Sequence, residues 1–184
     1  VASQVRRWKD RFGITIPVSV NVSRIDMYDP DMVENFKNLM DEFGLSPSEY
    51  LLEITESAYT NDSAQIIDMV NQLRKLGFRI EMDDFGSGYS SLNMLKDIHA
   101  DVLKIGRSFL NESDNSERSN TILCTIINMA KDLGMDVLAV GVESEEQMNL
   151  LKTLGCESFQ GFYFSKPIPE EEFVRFLKNH QSVT

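Results

Sequence analysis

A repeated change of periodicity along the chain limits its possible folds more than any other feature. Short runs of alternating apolar and polar residues are each followed by a longer run with apolar residues at helical spacing, about six times in all. Period-two patterns are typical of strands, and periods near 3.6 residues are typical of helices. Such alternation favours parallel strands with helices outside the sheet. We therefore predict an α/β protein of about six β/α units.

The pattern predicts the following segments. A helix that ends at Gly13 opens the chain, and a helix started by Asp29 as cap and Pro30 as first residue follows the first strand. Strands are predicted at 15–22, 50–55, 78–83, 101–105, 135–140 and 157–164. Further helices are predicted at about 62–76, 90–98, 122–133 and 144–154, with a last one from Pro169.

Composition excludes several classes of function. The 184 residues carry a net charge of -11, which argues against DNA or RNA binding through a basic surface. No apolar run approaches the ~18 residues of a membrane span, so we expect a cytoplasmic domain without direct membrane contact, either free or part of a larger membrane-tethered protein. Cys124 and Cys156 are far apart and form no metal-binding pattern, so we expect two reduced thiols.

Polar residues lie near the ends of five predicted strands: Asn21, Glu53, Asp83, Lys104 and Gln160. One polar residue for each strand is typical of a (β/α)8 barrel, whose active site gathers at the carboxyl ends of its strands. An open doubly wound sheet would instead concentrate its site at one switch point. We favour the barrel. Eight strands need about 250 residues, so we expect 1–184 to be a single domain that lacks two β/α units at its front.

The most distinctive segment is I-E-M-D-D-F-G-S-G-Y-S-S-L at 80–92. Strand alternation places Asp83 on the same face as Glu81 and Arg79, while Asp84 begins a loop that Gly86 and Gly88 turn sharply. Two acids at the exit of a strand can hold a metal ion. The alternative explanation of the same residues is a strand followed by an Asp-rich turn and a helix cap.

Six motifs together resemble the EAL domain family of bacterial cyclic di-GMP phosphodiesterases. They are P-V-S-V-N-V-S at 17–23, L-L-E-I-T-E-S at 51–57, D-D-F-G-S-G-Y-S-S-L at 83–92, L-K-I-G-R-S-F at 103–109, A-V-G-V-E-S at 139–144 and Q-G-F-Y-F-S-K-P at 160–167. They follow the family's order and spacing across nearly the whole chain. The family's opening segment, with the Glu-Ala-Leu strand that names it, has no counterpart here.

The resemblance implies a TIM-type barrel that holds two divalent cations, Mg2+ or Mn2+, and hydrolyses cyclic di-GMP to linear pGpG. It implies that Asn21, Glu53 and Asp83 are metal ligands and that Asp84 serves the second metal. Such hard cations prefer carboxylate and amide oxygens, and a pair of them stabilises both the attacking and the leaving oxygen of a displacement.

The resemblance also implies roles for three further residues. Lys104 would hold or activate the attacking water, and Glu56 would anchor the loop after Asp84, a region that couples metal occupancy to dimerisation in the family. Gln160 is the candidate substrate-binding residue, although a backbone clamp at the strand end explains it equally. A structural ion pair of Lys104 with Asp83 or Asp84 is the alternative to its catalytic role.

Two positions depart from the family's pattern. Gly106 replaces the acid of the family's Lys-(Ile/Leu)-Asp motif, and Val140 replaces the first acid of its Glu-Gly-Val-Glu motif. Losing an acid at or near a metal commonly lowers affinity or activity by roughly 10- to 100-fold. The resemblance therefore implies a weakened cation site.

Three functions follow from these observations. The first is a cyclic di-GMP sensor or regulatory module with impaired hydrolysis. The second is an active Mg2+- or Mn2+-dependent phosphodiesterase in the full-length protein, and the third is a structural or dimerisation domain without nucleotide binding. The resemblance implies upstream GGDEF or sensor domains. The open edges of an incomplete barrel favour a homodimer, with a swap of elements or a rearranged first strand as the alternatives.

Overall fold

The computed structural model describes residues 1–58, 63–86, 91–110 and 117–181. Its six strands form one sheet in chain order, and every neighbouring pair is parallel. The strands are β1 (Val18–Val22), β2 (Tyr50–Thr55), β3 (Arg79–Phe85), β4 (Val102–Ile105), β5 (Asp136–Val140) and β6 (Ser158–Gln160). The sheet curls into an incomplete TIM-type barrel, so the predicted fold class is confirmed.

Helices connect the strands. They are α1 (Ala2–Phe12), α2 (Arg24–Met27), α3 (Met32–Phe43), α4 (Ser63–Lys75), α5 (Ser91–Asp97), α6 (Glu117–Asp132), α7 (Glu145–Thr153) and α8 (Glu170–Gln181). Short 3-10 turns occur at Pro47–Glu49, Glu56–Ala58 and Arg107–Phe109. Within the described ranges, every helix is too short or too polar to span a bilayer. Cys124 and Cys156 are both free thiols.

The two faces of the sheet differ in polarity. Alternate residues of β2, β3 and β4 are at most 1% exposed and belong to the main hydrophobic core: Leu52, Ile54, Ile80, Met82, Leu103 and Ile105. The same core contains the buried residues of the helices, such as Leu73 of α4 and Ile127 of α6. Intervening residues face the inside of the curl, and there Glu81 and Lys104 are buried although both are ionisable.

Some predicted boundaries are wrong for local reasons. Asp29 does not cap α3, because its Oδ1 accepts the N–H of Asp31 at 2.9 Å and the helix begins only at Met32. The sequence reading also missed α2, which Ser23 opens through a reciprocal capping box with Asp26.

The last strand is much shorter than predicted. It ends at Gln160 because Gly161 lies directly against the backbone of Val142, where a Cβ on residue 161 would be 2.0 Å from the Val142 carbonyl oxygen. Tyr163 then donates its N–H to that same oxygen at 3.1 Å, which turns the chain away from the sheet. The following aromatic residues 162–164 are exposed rather than part of a strand.

Asp101, immediately before β4, ties the start of the sheet together. Its Oδ2 accepts the N–H of Ile80 at 2.8 Å, and its Oδ1 lies 2.8 Å from Nη2 of Arg74. Asp136, at the start of β5, has a similar ion pair with Arg79 at 2.7 Å. The Asp101 side chain is 23% exposed, whereas that of Asp136 is 72% exposed.

These two acids form a matched test of the fold. Asp101→Ala should lower the free energy of unfolding by about 2 kcal/mol, because it leaves a buried N–H without its charged acceptor. Asp136→Ala should lower it by less than about 1 kcal/mol, because exposed ion pairs contribute little. Urea unfolding of both variants measures the difference. Equal losses would contradict the anchoring role of Asp101.

Candidate active site at the carboxyl ends of the strands

Strand register places three oxygen-bearing side chains in one row on the inner face. Asn21 of β1 is the register partner of Glu53 of β2, and Glu53 is in turn the partner of Glu81 of β3. Neighbouring strands lie about 4.8 Å apart, so these side chains are adjacent. Asp83 lies two residues beyond Glu81, opposite Thr55 of β2. The predicted convergence of Asn21, Glu53 and Asp83 on one mouth of the sheet therefore agrees with the register.

A buried lysine joins two of the acids. The Nζ of Lys104 lies 2.9 Å from Oε1 of Glu53 and 3.3 Å from Oδ1 of Asp83. The Lys104 side chain is 5% exposed, and those of Glu53 and Asp83 are 13% and 21% exposed. The sequence reading offered a bridge from Lys104 to Asp83 or Asp84, and the structure shows Glu53 and Asp83 as its partners.

The surroundings of Lys104 keep it charged. Burial disfavours the ammonium, but the hydrogen bond to Glu53 and the charges of Asp83, Glu53 and Glu81 outweigh burial and raise the pKa of Lys104 above its ordinary value. A raised lysine pKa leaves the group protonated throughout the neutral range. In this arrangement Lys104 is an ammonium group that offsets the negative charge of Glu53 and Asp83.

Glu81 is a member of this cluster to which sequence reasoning gave no role. It is 3% exposed, and its Oε2 has no hydrogen-bond partner within the described ranges. Burial raises the pKa of Glu81, and the nearby charges of Glu53 and Asp83 add to that effect, while a hydrogen bond with Ser19 and the charge of Lys104 partly offset it. The signal in the sequence was its strand parity, which it shares with Asp83.

Asp84 lies at an irregularity of β3. The register against β4 shifts between Met82 and Phe85, and Asp84 has a φ of 56°, the left-handed region that Asp tolerates better than most residues. Asp84 is still within the strand, so the prediction that it begins the loop is wrong. Its side chain is exposed, and its Oδ1 would lie 3.7 Å from a Cβ added at Gly106.

The two remaining predicted residues, Glu56 and Gln160, differ in environment. Glu56 is 4% exposed, in the 3-10 turn that directly follows β2. The loop that it was predicted to anchor includes Gly88 and falls in 87–90, outside the described residues. The main chain of Gln160 accepts the N–H groups of Gly141 and Val142 at 2.7 and 3.0 Å, as a backbone clamp does. Its exposed side chain lines an open cavity of about 420 Å³ with Phe162 and Lys166.

Comparison with known proteins assigns the family. The family model described as "EAL domain" matches residues 1–167. The chain belongs to the EAL domain family.

Relatives and solved structures agree with this membership. The bifunctional diguanylate cyclase/cyclic di-GMP phosphodiesterase MucR of Pseudomonas aeruginosa is 36% identical over 171 residues, which are 93% of this chain and 25% of MucR. The structure of the PaMucR phosphodiesterase in complex with c-di-GMP matches with a TM-score of 0.84 and 35% identity, over 94% of this chain and 70% of that one. A manganese/cy-diGMP complex of Klebsiella pneumoniae BlrP1 matches with a TM-score of 0.81 and 29% identity, over 90% of this chain and 43% of that one.

The chain is short beside the curated relatives that it matches. It spans 22% of the Bacillus subtilis signaling protein YkoW, 25% of MucR and 44% of the Pseudomonas aeruginosa cyclic di-GMP phosphodiesterase RocR. The EAL domain is therefore one part of each of those proteins.

The oxygen donors of this EAL domain are distributed unevenly along the sheet. Ile105 pairs with Ala139, so Gly106 and Val140 are the next residues along β4 and β5. Neither has an oxygen in its side chain, and the acids are concentrated on β2 and β3. Among the described residues, no three His, Cys, Asp or Glu side chains are already grouped to hold an ion. The unpartnered Oε2 of Glu81 and the acids around Lys104 are oxygen donors that would suit a divalent cation, whereas the side chains of Gly106 and Val140 offer none.

Removing the bridging lysine tests the electrostatics of the cluster. Lys104→Met should lower the free energy of unfolding by about 3–5 kcal/mol in EDTA, because it leaves buried acids without their counter-charge. Lys9→Met is the matched control. Lys9 also pairs with a buried acid, Glu49, at 3.0 Å, but its side chain is 37% exposed. Urea unfolding that gives equal losses for the two variants would contradict a central role for Lys104.

Acids introduced at residues 106 and 140 test the placement of the β4–β5 side. The double variant Gly106→Asp and Val140→Glu should bind Mn2+ more tightly, by roughly tenfold or more, because each acid is placed near the site. Residue 106 has room for a side chain, at an ordinary contact distance from Asp84. Isothermal titration with Mn2+ measures the change. If the variant binds Mn2+ no better than its parent, residues 106 and 140 do not face the site.

Proposed function

We propose that this chain is an EAL domain that binds cyclic di-GMP, hydrolyses it poorly or not at all, and acts as a sensor or regulatory module. The distribution of acids supports this proposal most directly. Glu53, Asp83 and Lys104 form one buried cluster, while Gly106 and Val140 leave the neighbouring positions without oxygen ligands. Such a site still has acids that attract a cation and a lysine that attracts a phosphate. It lacks part of the negative charge that family members use for hydrolysis.

In this proposal Asn21, Glu53 and Asp83 hold a divalent cation, Mg2+ or Mn2+, and Asp84 lies beside it. The bound cation supplies Lewis-acid stabilisation of a phosphodiester oxygen. The manganese/cy-diGMP complex of BlrP1 supports the choice of ligand and metal class. Amide and carboxylate oxygens are the ligands that such hard cations prefer.

The other predicted residues complete the site in this proposal. Lys104 holds Glu53 and Asp83 in position and attracts the phosphate through its charge. Gln160 contacts the ligand from β6, and Glu56 fixes the loop after β3. We further propose that 1–184 is a single domain and that the protein forms homodimers. Adjoining GGDEF or sensor domains are supported by the bifunctional name of MucR.

The alternative is an active phosphodiesterase, which the names of relatives such as MucR and RocR favour. It requires that other residues supply the charge missing at 106 and 140. The two functions differ in turnover rather than in binding.

A paired assay separates these functions. Calorimetry should detect cyclic di-GMP binding in Mg2+ or Mn2+, and chromatography should show pGpG formation at least about 100-fold slower than that of the MucR EAL domain, because two acids are missing. The longest natural polypeptide that contains these residues is assayed in parallel. Turnover comparable to that of MucR would establish the active enzyme. No binding heat under any condition would support a structural or dimerisation domain instead.

A further inference from the structure

We propose that Glu81 is a ligand of a single divalent cation held at the inner face of β2 and β3 together with Glu53 and Asp83. Its carboxylate supplies negative charge that Gly106 and Val140 do not. The predicted ligand set includes Asn21, Glu53, Asp83 and Asp84, and Glu81 is additional to it.

The first observation is an unsatisfied buried oxygen. Glu81 is 3% exposed, and its Oε2 has no partner among the residues that the structure describes. Buried polar atoms are almost always hydrogen-bonded, and the hydrogen bond with Ser19 still leaves Oε2 of Glu81 buried without a partner in the described part of the chain, which is costly. The buried acid Glu49 shows the contrast, because Lys9 and the N–H of Ser46 bind its two oxygens.

The second observation is the position of Glu81 in the sheet. Glu81 is the register partner of Glu53 and precedes Asp83 by two residues on the same face of β3. Its carboxylate therefore lies next to the two acids that Lys104 joins. A cation between β2 and β3 meets oxygens from all three acids.

The third observation is the net charge of the buried cluster. Glu53, Glu81 and Asp83 carry three negative charges and Lys104 carries one positive charge, which leaves the group at a formal charge of -2. The next cation on this face, Arg79, pairs with Asp136 at 2.7 Å. One divalent cation neutralises the group, whereas a monovalent cation leaves it charged.

Binding a cation also requires a rearrangement. The described acids are not yet grouped around a common point, and Lys104 lies between Glu53 and Asp83. A cation must draw these acids away from Lys104, but Oε2 of Glu81 gives up no partner when it binds. Glu81 is therefore the donor whose contribution to affinity is least offset by a broken interaction.

The test measures cation binding in the absence of nucleotide. Electron paramagnetic resonance of free Mn2+ should show one Mn2+ bound to each wild-type chain. Glu81→Gln keeps the shape of the side chain and should weaken Mn2+ binding by roughly 10- to 100-fold. Glu49→Gln, at a buried acid paired with Lys9, is the control and should change the affinity less than twofold. Unchanged binding by Glu81→Gln, or no Mn2+ binding by the wild type, overturns the inference.

A second measurement controls for folding. In EDTA, the melting temperature of Glu81→Gln should equal or exceed that of the wild type, because the substitution removes a buried charge beside two others. At the same Mn2+ concentration, the melting temperature of Glu81→Gln should rise clearly less than that of the wild type. A variant that is less stable in EDTA and still gains the full stabilisation from Mn2+ contradicts the role of Glu81.

This inference rests on the proposed function, and the two can fail separately. If cyclic di-GMP binds in Mn2+ but Glu81→Gln leaves Mn2+ affinity unchanged, the proposed function stands and the inference fails. If Mn2+ binds through Glu81 but cyclic di-GMP does not bind, the inference stands and the proposed function fails.

Discussion

The candidate site depends on one buried ammonium group that holds acids from two different strands. Lys104 of β4 lies 2.9 Å from Glu53 of β2 and 3.3 Å from Asp83 of β3. Taking these charges out of water is expensive, and their mutual attraction offsets that expense only where the geometry is good. Parallel strands supply this geometry, because they bring residues of the same parity to one face, and Asp83 lies only two residues beyond Glu81, the register partner of Glu53. The apolar residues of opposite parity meanwhile pack into the core beneath the helices.

The same arrangement leaves the site with unbalanced charge. One lysine cannot neutralise three acids, and Glu81 has a buried oxygen with no partner among the described residues. A site of this kind trades stability of the empty protein for affinity toward a cation, as functional sites often do. The excess of negative charge is confined to β2–β4. Gly106 directly follows β4 and Val140 ends β5, and neither residue has an oxygen in its side chain. The proposed cation binding therefore does not depend on the side chains at 106 and 140.

Much of this could be predicted from the sequence. The alternation of periodicities indicated parallel strands, and polar residues at the strand ends indicated a shared mouth. Glu53, Asp83 and Lys104 do meet there. The partners of Lys104 could be predicted only in part, because parity places a side chain on a face but does not say which neighbour it reaches. Glu81 received no role in the sequence analysis because its missing hydrogen bond depends on how the folded chain packs. The sequence of a single strand does not reveal that packing.

Other differences also have local physical causes. The sequence pattern extended the last strand through an aromatic run, but the close approach of Gly161 to Val142 ends that strand early. Asp29 resembled a helix cap, but its carboxylate accepts the N–H of Asp31, and α3 begins only at Met32. Each case involves a contact between residues whose geometry depends on the folded backbone. Periodicity predicts the elements well and their ends less well for this reason.

The central claim is that the acids of β2 and β3 form a cation site at the carboxyl ends of the strands. Paramagnetic broadening of backbone amide NMR signals by substoichiometric Mn2+ tests it most directly. The account predicts that the amides of Glu53, Glu81, Asp83 and Lys104 broaden at the lowest Mn2+ concentration, before those of exposed helix acids such as Asp10 of α1 and Glu34 of α3. Broadening that begins at those helix acids, or that is spread evenly over the acidic surface, would contradict it.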